Sequence, residues 1–498
     1  MAGDTVAAWS PALALVPAGV AAALIRLSSR APALRETWSL LASGLQAAVV
    51  LSMIPGAAAG VVLETILVEL APGVPLVLRA DALGCVFAAL SSGLWVLTTV
   101  YSIGYVRGLH EHAQTRYFFC FALSLFAAVG VAFAGNLLTF FLFYEILTVS
   151  TYPLVIHKET PAAVQAGRMY LAYTLTAGVA LLGAVAWTQA LAGTVEFRPG
   201  GILGPLPSGT LWPLLGLLVL GVGVKAALMP LHSWLPVAMI APTPVSALLH
   251  AVAVVKAGVF GVVRIVGYVV GPDLLASAGA WSAVAWLAAG TILAGSLLAL
   301  AQDNLKRLLA FSTVSQLSYV VLGVALGTPS GAVGGIQHIV NHGVMKITLF
   351  FCAGAIYVAT GKERVSQLAG IGRRMPVTMG AFAVAALGLA GVPPAAGFLS
   401  KWYLIRGALE GGQWPFVLVL LASALLNLAY FVPIIVSAFF RPPDEAGEGI
   451  AEAPATLVVP LALTAAASVL LGVAPDLPVA FFSLASRAAG EILGGVVR

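Results

Sequence analysis

Apolar stretches of about twenty residues recur along most of this 498-residue chain, separated by short polar turns. Each is long enough for a helix to cross a hydrocarbon core about 30 Å thick. Fourteen such segments lie between residues 11 and 473, so the expected fold is an all-α polytopic membrane protein with about 14 transmembrane helices. Composition agrees. Hydrophobic residues make up 60% of the chain and charged residues 9%, where soluble domains carry about 25% charged residues. Such a chain builds one membrane bundle rather than a row of soluble domains.

Lysine and arginine concentrate in the cytoplasmic loops of membrane proteins. With the N-terminus placed outside, fourteen of the twenty-four basic residues, from Arg26 to Arg441, collect on the inner side. Five (Arg79, Arg198, Arg264, Arg487 and Arg498) collect on the outer side. This segregation predicts an even number of spans, with both termini outside the cell's inner (plasma) membrane. The net charge of +5 is scattered over short loops and forms no dense patch for nucleic acid. Residues 56 to 80 and 191 to 210 read as the longest outer loops, the former with a short hairpin around Val74 to Arg79. The tail after Asp476 reads as a segment lying along the membrane surface. The first apolar run lacks a secretory cleavage site and reads as the first span.

Cys85, Cys120 and Cys352 stand apart in apolar runs, without metal or disulfide spacing. No phosphate loop, dinucleotide fingerprint or haem motif is visible. No metal site and no cofactor are therefore expected, and any redox or nucleotide chemistry belongs to another chain.

Residues 221 to 258 combine membrane-grade hydrophobicity with Lys225 and Lys256, and between these stand Pro230, Pro236, Pro242 and Pro244. A proline lacks the amide hydrogen that a helix interior needs, so a helix here must break. Broken helices are tolerated at membrane depth where the freed backbone is buried in protein or lines a wet cavity. The competing reading is a surface loop with lysines reaching outward to water. A second break is expected at Pro393 and Pro394, between Gly391 and Gly397, with Lys401 one to two turns beyond. Paired, lysine-bearing breaks in different halves point to two inverted five-helix repeats with sites near the midplane. The expected division is helices 1 to 3 over residues 1 to 115 and a first repeat over 116 to 270. A second repeat then covers 271 to 440, and a last helix with its tail covers 441 to 498.

Of the nineteen acidic residues, only Glu145 falls in mid-span. Its helical face continues through Thr148 and Tyr152. A lone carboxylate in hydrocarbon takes up a proton unless a nearby ammonium holds it ionised, and Lys225 is the natural partner. A static buried ion pair is the structural alternative. His338, His342 and Lys346, spaced by four, share one helical face, and Ser312, Ser315, Gln316 and Tyr319 share another. Serial titratable and hydroxyl groups are what a water-assisted proton wire needs. Polar glue between helices is the competing explanation, worth about 0.6 kcal/mol per contact. His250 and Lys256 are six apart and point to different sides of one helix, so any link between them needs another helix or water. His232 lies near the break, and reads equally as a capping residue or a relay.

The segments FFLFYEIL, VGVKAALMPLHSWLPVAMIAPTPVSALLHAVAVVKAGVF, DNLKRLLAFSTVSQLSYV, HIVNHGVMKITLFFCAGAI, GIGRRMP and GVPPAAGFLSKW resemble the antiporter-like proton-channel family. That family comprises the large membrane subunits of respiratory complex I, membrane-bound hydrogenases and Mrp-type cation/proton antiporters. The resemblance covers roughly residues 118 to 430, and the D-type subunit of Mrp antiporters is the best match. It implies that Glu145 is the helix-five glutamate, Lys225 its broken-helix partner and Lys256 the central lysine. Lys346 then serves the second half-channel, and Lys401 ends it where some complex I subunits carry glutamate. His250, His338 and His342 are auxiliary relays. The implied partners are other membrane subunits, protons, Na+ and lipid. Three functions remain open: a proton-translocating antiporter component, the same fold driven by a redox module, and a non-conducting scaffold.

Overall fold

The computed structural model describes residues 5–71, 74–442 and 450–494. In chain order these form β1 (Thr5–Ala7), α1 (Ser10–Leu27), α2 (Pro32–Ala59), β2 (Val62–Ala71), β3 (Val74–Ala80), α3 (Ala82–Gly108), α4 (Gln114–Ala132), α5 (Leu137–Val155) and α6 (Pro161–Ala192). They continue with α7 (Ser208–Gly223), α8 (Thr243–Val270), α9 (Ala280–Leu300), α10 (Leu305–Ala325), α11 (Pro329–Thr360) and α12 (Pro376–Ala390). The last are α13 (Ala396–Glu410), α14 (Trp414–Phe440), α15 (Ala455–Val473) and α16 (Phe481–Ile492). Twelve, all but α7, α12, α13 and α16, are long and apolar enough to cross a membrane. The two other expected spans are the interrupted ones. The first stops at Gly223, earlier than the expected 231, and the second stops at Ala390 and resumes at Ala396.

Local chemistry sets several of these boundaries. Asp81, Asn136, Thr160 and Asn304 each accept a backbone N–H from the first turn of α3, α5, α6 and α10, which satisfies an otherwise orphaned donor. Helices α6 and α11 end on Gly193 and Gly361 in the left-handed region.

The expected hairpin is larger than the sequence suggests. β2 pairs antiparallel with β3 and parallel with β1, and opposite Glu64 in the ladder stands Arg79, whose Nε donates to it at 2.8 Å. Among the described residues the regular structure is therefore helical apart from one small sheet.

Helix α11 is central, packing against α3, α8, α10, α12, α13, α15 and α16. Helix α8 is wholly enclosed and α10 is enclosed beyond its first turn, whereas α1, α2, α6, α14 and α15 bury well under half of their span. Their outer faces carry bare apolar side chains such as Val179, Leu418 and Leu425. The polar residues deep within α8, α10 and α11 thus face protein rather than lipid.

Asp81 keeps its expected place at a span end but is buried there. Asp81 accepts Arg264 Nη1 and Nη2 at 2.6 and 2.7 Å in a buried bidentate pair. The pair ties the start of α3 to the end of α8. Removing one member of a buried pair strands the other, so Asp81→Ala should lower stability by about 3 to 5 kcal/mol, read as a fall in melting temperature in detergent.

Helix α16 is not a free surface segment. Phe481, Leu484, Ala485, Ala488 and Ile492 are buried against α2, α3 and α11, and Arg487 Nε donates to the Ala58 carbonyl at 3.0 Å. Arg498 lies outside the described residues. Glu491, which accepts the Tyr268 hydroxyl at 3.1 Å, is pushed up to about 7, by burial first and by Asp81 second. An acid raised in this way binds its proton more tightly when folded. Docking of α16 should therefore be strongest below pH 4.5, weaken as the pH rises toward 7, and stay level above it. Hydrogen-exchange protection factors over 481–492 should fall across that window, and Glu491→Gln should flatten the profile.

Candidate functional site

The first break exposes backbone that its neighbours satisfy. Trp234 Nε1 donates to the Val224 carbonyl at 2.8 Å, Met229 N–H donates to Thr291 Oγ1 at 3.1 Å, and Lys306 Nζ donates to the Ala241 carbonyl at 2.6 Å. Pro230 and Pro236 lie beyond the end of α7, Pro236 within a single helical turn. Unwinding lets residues 225 and 226 lie directly on α8. A Cβ on Gly258 would sit 2.1 Å from the Ala226 nitrogen, so only glycine permits the approach.

Lys225 is buried, but it does not close the expected ion pair with Glu145. Its ammonium donates to the Tyr144 carbonyl and lies 3.4 Å from the centre of the Tyr144 ring. The half-buried Glu145 carboxylate turns toward α6, into space left by Gly178, and its Oε1 has no hydrogen-bond partner. The two charges are thus neighbours through Tyr144 rather than a locked pair. Burial and a cation–π contact in place of a carboxylate leave the ammonium free to respond to other charges.

The remaining lysines meet on α11. Lys256 Nζ lies 2.7 Å from His342 Nδ1, and nothing in this contact reaches back to His250. The His342 and His338 rings follow with centroids 5.9 Å apart. From His338 the row divides. One branch runs from Nε2 to Gln316 Oε1 at 3.1 Å, and Gln316 Nε2 donates to Asn427 Oδ1 at 3.3 Å. The Tyr430 hydroxyl donates to Asn427 and lies 3.1 Å from Ser312 Oγ, which accepts Lys346 Nζ at 3.0 Å. The other branch runs from Nδ1 to Ser400 Oγ at 2.8 Å and through the Tyr319 ring, which stacks on His338 at 5.4 Å. Lys401 Nζ stands 5.0 Å from that ring.

Lys401 also donates to the carbonyls of Leu389 and Ala390, at 2.6 and 3.1 Å. These are the unsatisfied acceptors at the end of α12, so the break over residues 391–395 creates the negative helix terminus that holds the lysine. His250 stays apart. It is buried against Phe350, and neither ring nitrogen has a hydrogen-bond partner.

Lys256, His342, His338, Lys346 and Lys401 therefore fall into one polar row, hydrogen-bonded from Lys256 to His342 and from His338 to Lys346 but joined only by ring contacts between His342 and His338 and at Lys401, with His342 Nε2 and the Tyr319 hydroxyl unpartnered; Glu145 and Lys225 form a second group beside it. Ser400, Asn427 and Tyr430 were not anticipated. The signal for the last two was present, because Ser423, Asn427 and Tyr430 repeat at helical spacing in the otherwise apolar α14. Ser296, Ser315 and Ser423 hydrogen-bond mainly to one another, at 2.9 to 3.4 Å, which fits interhelical glue.

Residues 134–426 match the family described as NADH:quinone oxidoreductase/Mrp antiporter, transmembrane. The chain is 35% identical over 421 residues to the N-type NADH-quinone oxidoreductase subunit of Desulforudis audaxviator, covering 80% of this chain and 82% of that protein. It is 32% identical to the A/B component of a probable K+/H+ antiporter of Rhizobium meliloti, covering 81% of this chain but only 40% of that longer protein. In fold it is similar to a chain of the Mrp complex from Dietzia sp., with a TM-score of 0.86 at 23% identity and 98% of both chains covered. A chain of the archaeal membrane-bound sulfane sulfur reductase gives a TM-score of 0.85 at 24% identity, covering 98% of both chains.

Proposed function

The chain belongs to the NADH:quinone oxidoreductase/Mrp antiporter family of membrane proteins, and from that premise we propose that it translocates protons along its mid-membrane row as the D-type component of a multisubunit Mrp-type Na+/proton antiporter. The observation that carries this reading is the run of contacts from Lys256 through His342 and His338 to Lys346 and Lys401. A proton arriving at Lys256 changes the charge felt at Lys225, whose backbone rests on Gly258 two residues away. Lys225 then exchanges its hold on Tyr144 for the Glu145 carboxylate, or releases it. On the other side His342 and His338 hand the proton toward either lysine of the second half. The reading includes two halves, residues 116 to 270 and 271 to 440, each with one broken helix, and both termini outside the plasma membrane. Its partners are the other membrane subunits of the assembly.

A second reading is supported by the relative from Desulforudis audaxviator, an NADH-quinone oxidoreductase component matched over most of its length. In it the same row is driven by a redox module. Purification of the native assembly followed by mass spectrometry decides between them. Small antiporter subunits alongside this chain support the first reading, and flavin or iron–sulfur subunits overturn it in favour of the second.

A further inference from the structure

Away from the lysine row, three metal-ligating side chains converge where the α3–α4 turn meets the end of α5. Glu111 and His112 come from the turn and His157 from just beyond α5, and one ligating atom from each lies within 4.8 Å of the others. His157 Nε2 is 3.6 Å from Glu111 Oε2, and the His112 and His157 rings stack with centroids 4.9 Å apart. His157 is fully buried, yet neither of its ring nitrogens has a hydrogen-bond partner. Buried polar groups are normally satisfied, and an idle imidazole at the mouth of a carboxylate-bearing turn needs an explanation.

We propose that Glu111, His112 and His157 bind a divalent transition-metal cation of the zinc class. Imidazole nitrogens with one carboxylate are the donor set of four-coordinate Zn2+, at about 2.0 to 2.2 Å, which sets ligand atoms roughly 3.3 Å apart. The His157 to Glu111 separation is already near that value. His112 is about half exposed, with a side-chain exposure of 48%, and a small rotation of it closes the remainder. Glu159 lies 3.9 Å from His112 but is engaged by Arg116, so water takes the fourth position. Na+ and K+ prefer oxygen donors and are poor occupants. The bound ion would clamp the α3–α4 turn to the end of α5, the helix that carries Glu145.

The test is equilibrium binding of ZnCl2 to the purified, tag-free native assembly, with zinc-edge X-ray absorption. Even a lost hydrogen-bond partner of a ligand weakens metal binding about 10- to 100-fold, so loss of a ligand should cost about 100-fold. His112→Gln and Glu111→Gln, both in the surface turn, should each remove one Zn2+ per chain at concentrations that saturate the wild type. His110→Gln should leave it in place, and the absorption spectrum should show two histidine nitrogens. Zn2+ uptake equal in wild type and His112→Gln, or a bound ion without histidine nitrogen, overturns the site.

Discussion

Lys256→Ala, introduced into the native assembly and reconstituted in vesicles, should cut cation-dependent proton flux by on the order of 10²-fold or more. Lys256 is the member of the first half that touches the second, through His342 Nδ1 at 2.7 Å. A hop needs a donor and an acceptor within hydrogen-bond reach, and alanine leaves His342 with no donor or acceptor on that side. The variant should still fold, because it replaces a buried amine with a small apolar group whose neighbours along the helix, Val254, Val255, Ala257 and Val259, are apolar. Unchanged assembly with lost flux is the expected combination. A scaffold role predicts the reverse, with normal or absent assembly and no effect on flux per assembled complex.

Glu145→Gln gives the second large effect, again on the order of 10²-fold in flux with little change in stability. Two structural readings differ sharply here. Were Glu145 locked to Lys225 in a buried pair, its neutralisation would strand a charge and cost about 3 to 5 kcal/mol. Instead Lys225 is held by the Tyr144 carbonyl and ring, and Glu145 Oε1 has no partner to lose. A melting temperature within a few degrees of wild type, together with lost flux, is therefore expected. A large fall in melting temperature would show that the carboxylate serves the fold.

The sequence made the architecture legible because its controlling signal is local. An apolar run of the right length declares a span wherever it falls, and clustered prolines declare a break, whereas single ones such as Pro153 and Pro433 sit inside continuous helices. The exact end of the first break was less legible: α7 stops at Gly223, before any of the prolines, because the chain unwinds to lay residues 225 and 226 on Gly258. That contact joins two elements and leaves no mark in either alone. Site residues followed the same rule. Charges in hydrocarbon are costly enough to be noticed singly, so Glu145, Lys225, Lys256, Lys346 and Lys401 stood out. Which of them touch could not be read. The Lys256 to His342 link spans 86 positions, and Lys225 finds a carbonyl and an aromatic ring where charge complementarity pointed to Glu145. The pairing of Asp81 with Arg264 was illegible for a related reason. Each lies near a span end where water is the default partner, and only the packing of α3 against α8 buries them together.

Residues acting in series lose their function together, so their effects do not add. The most direct measurement is proton flux in vesicles carrying the native assembly with Lys256→Ala, His338→Leu, or both, each normalised to assembled complex. A continuous row predicts that each single variant loses most of the flux and that the double variant loses no more. Flux near wild type in either single variant, or losses that multiply in the double, would contradict a single path through these residues.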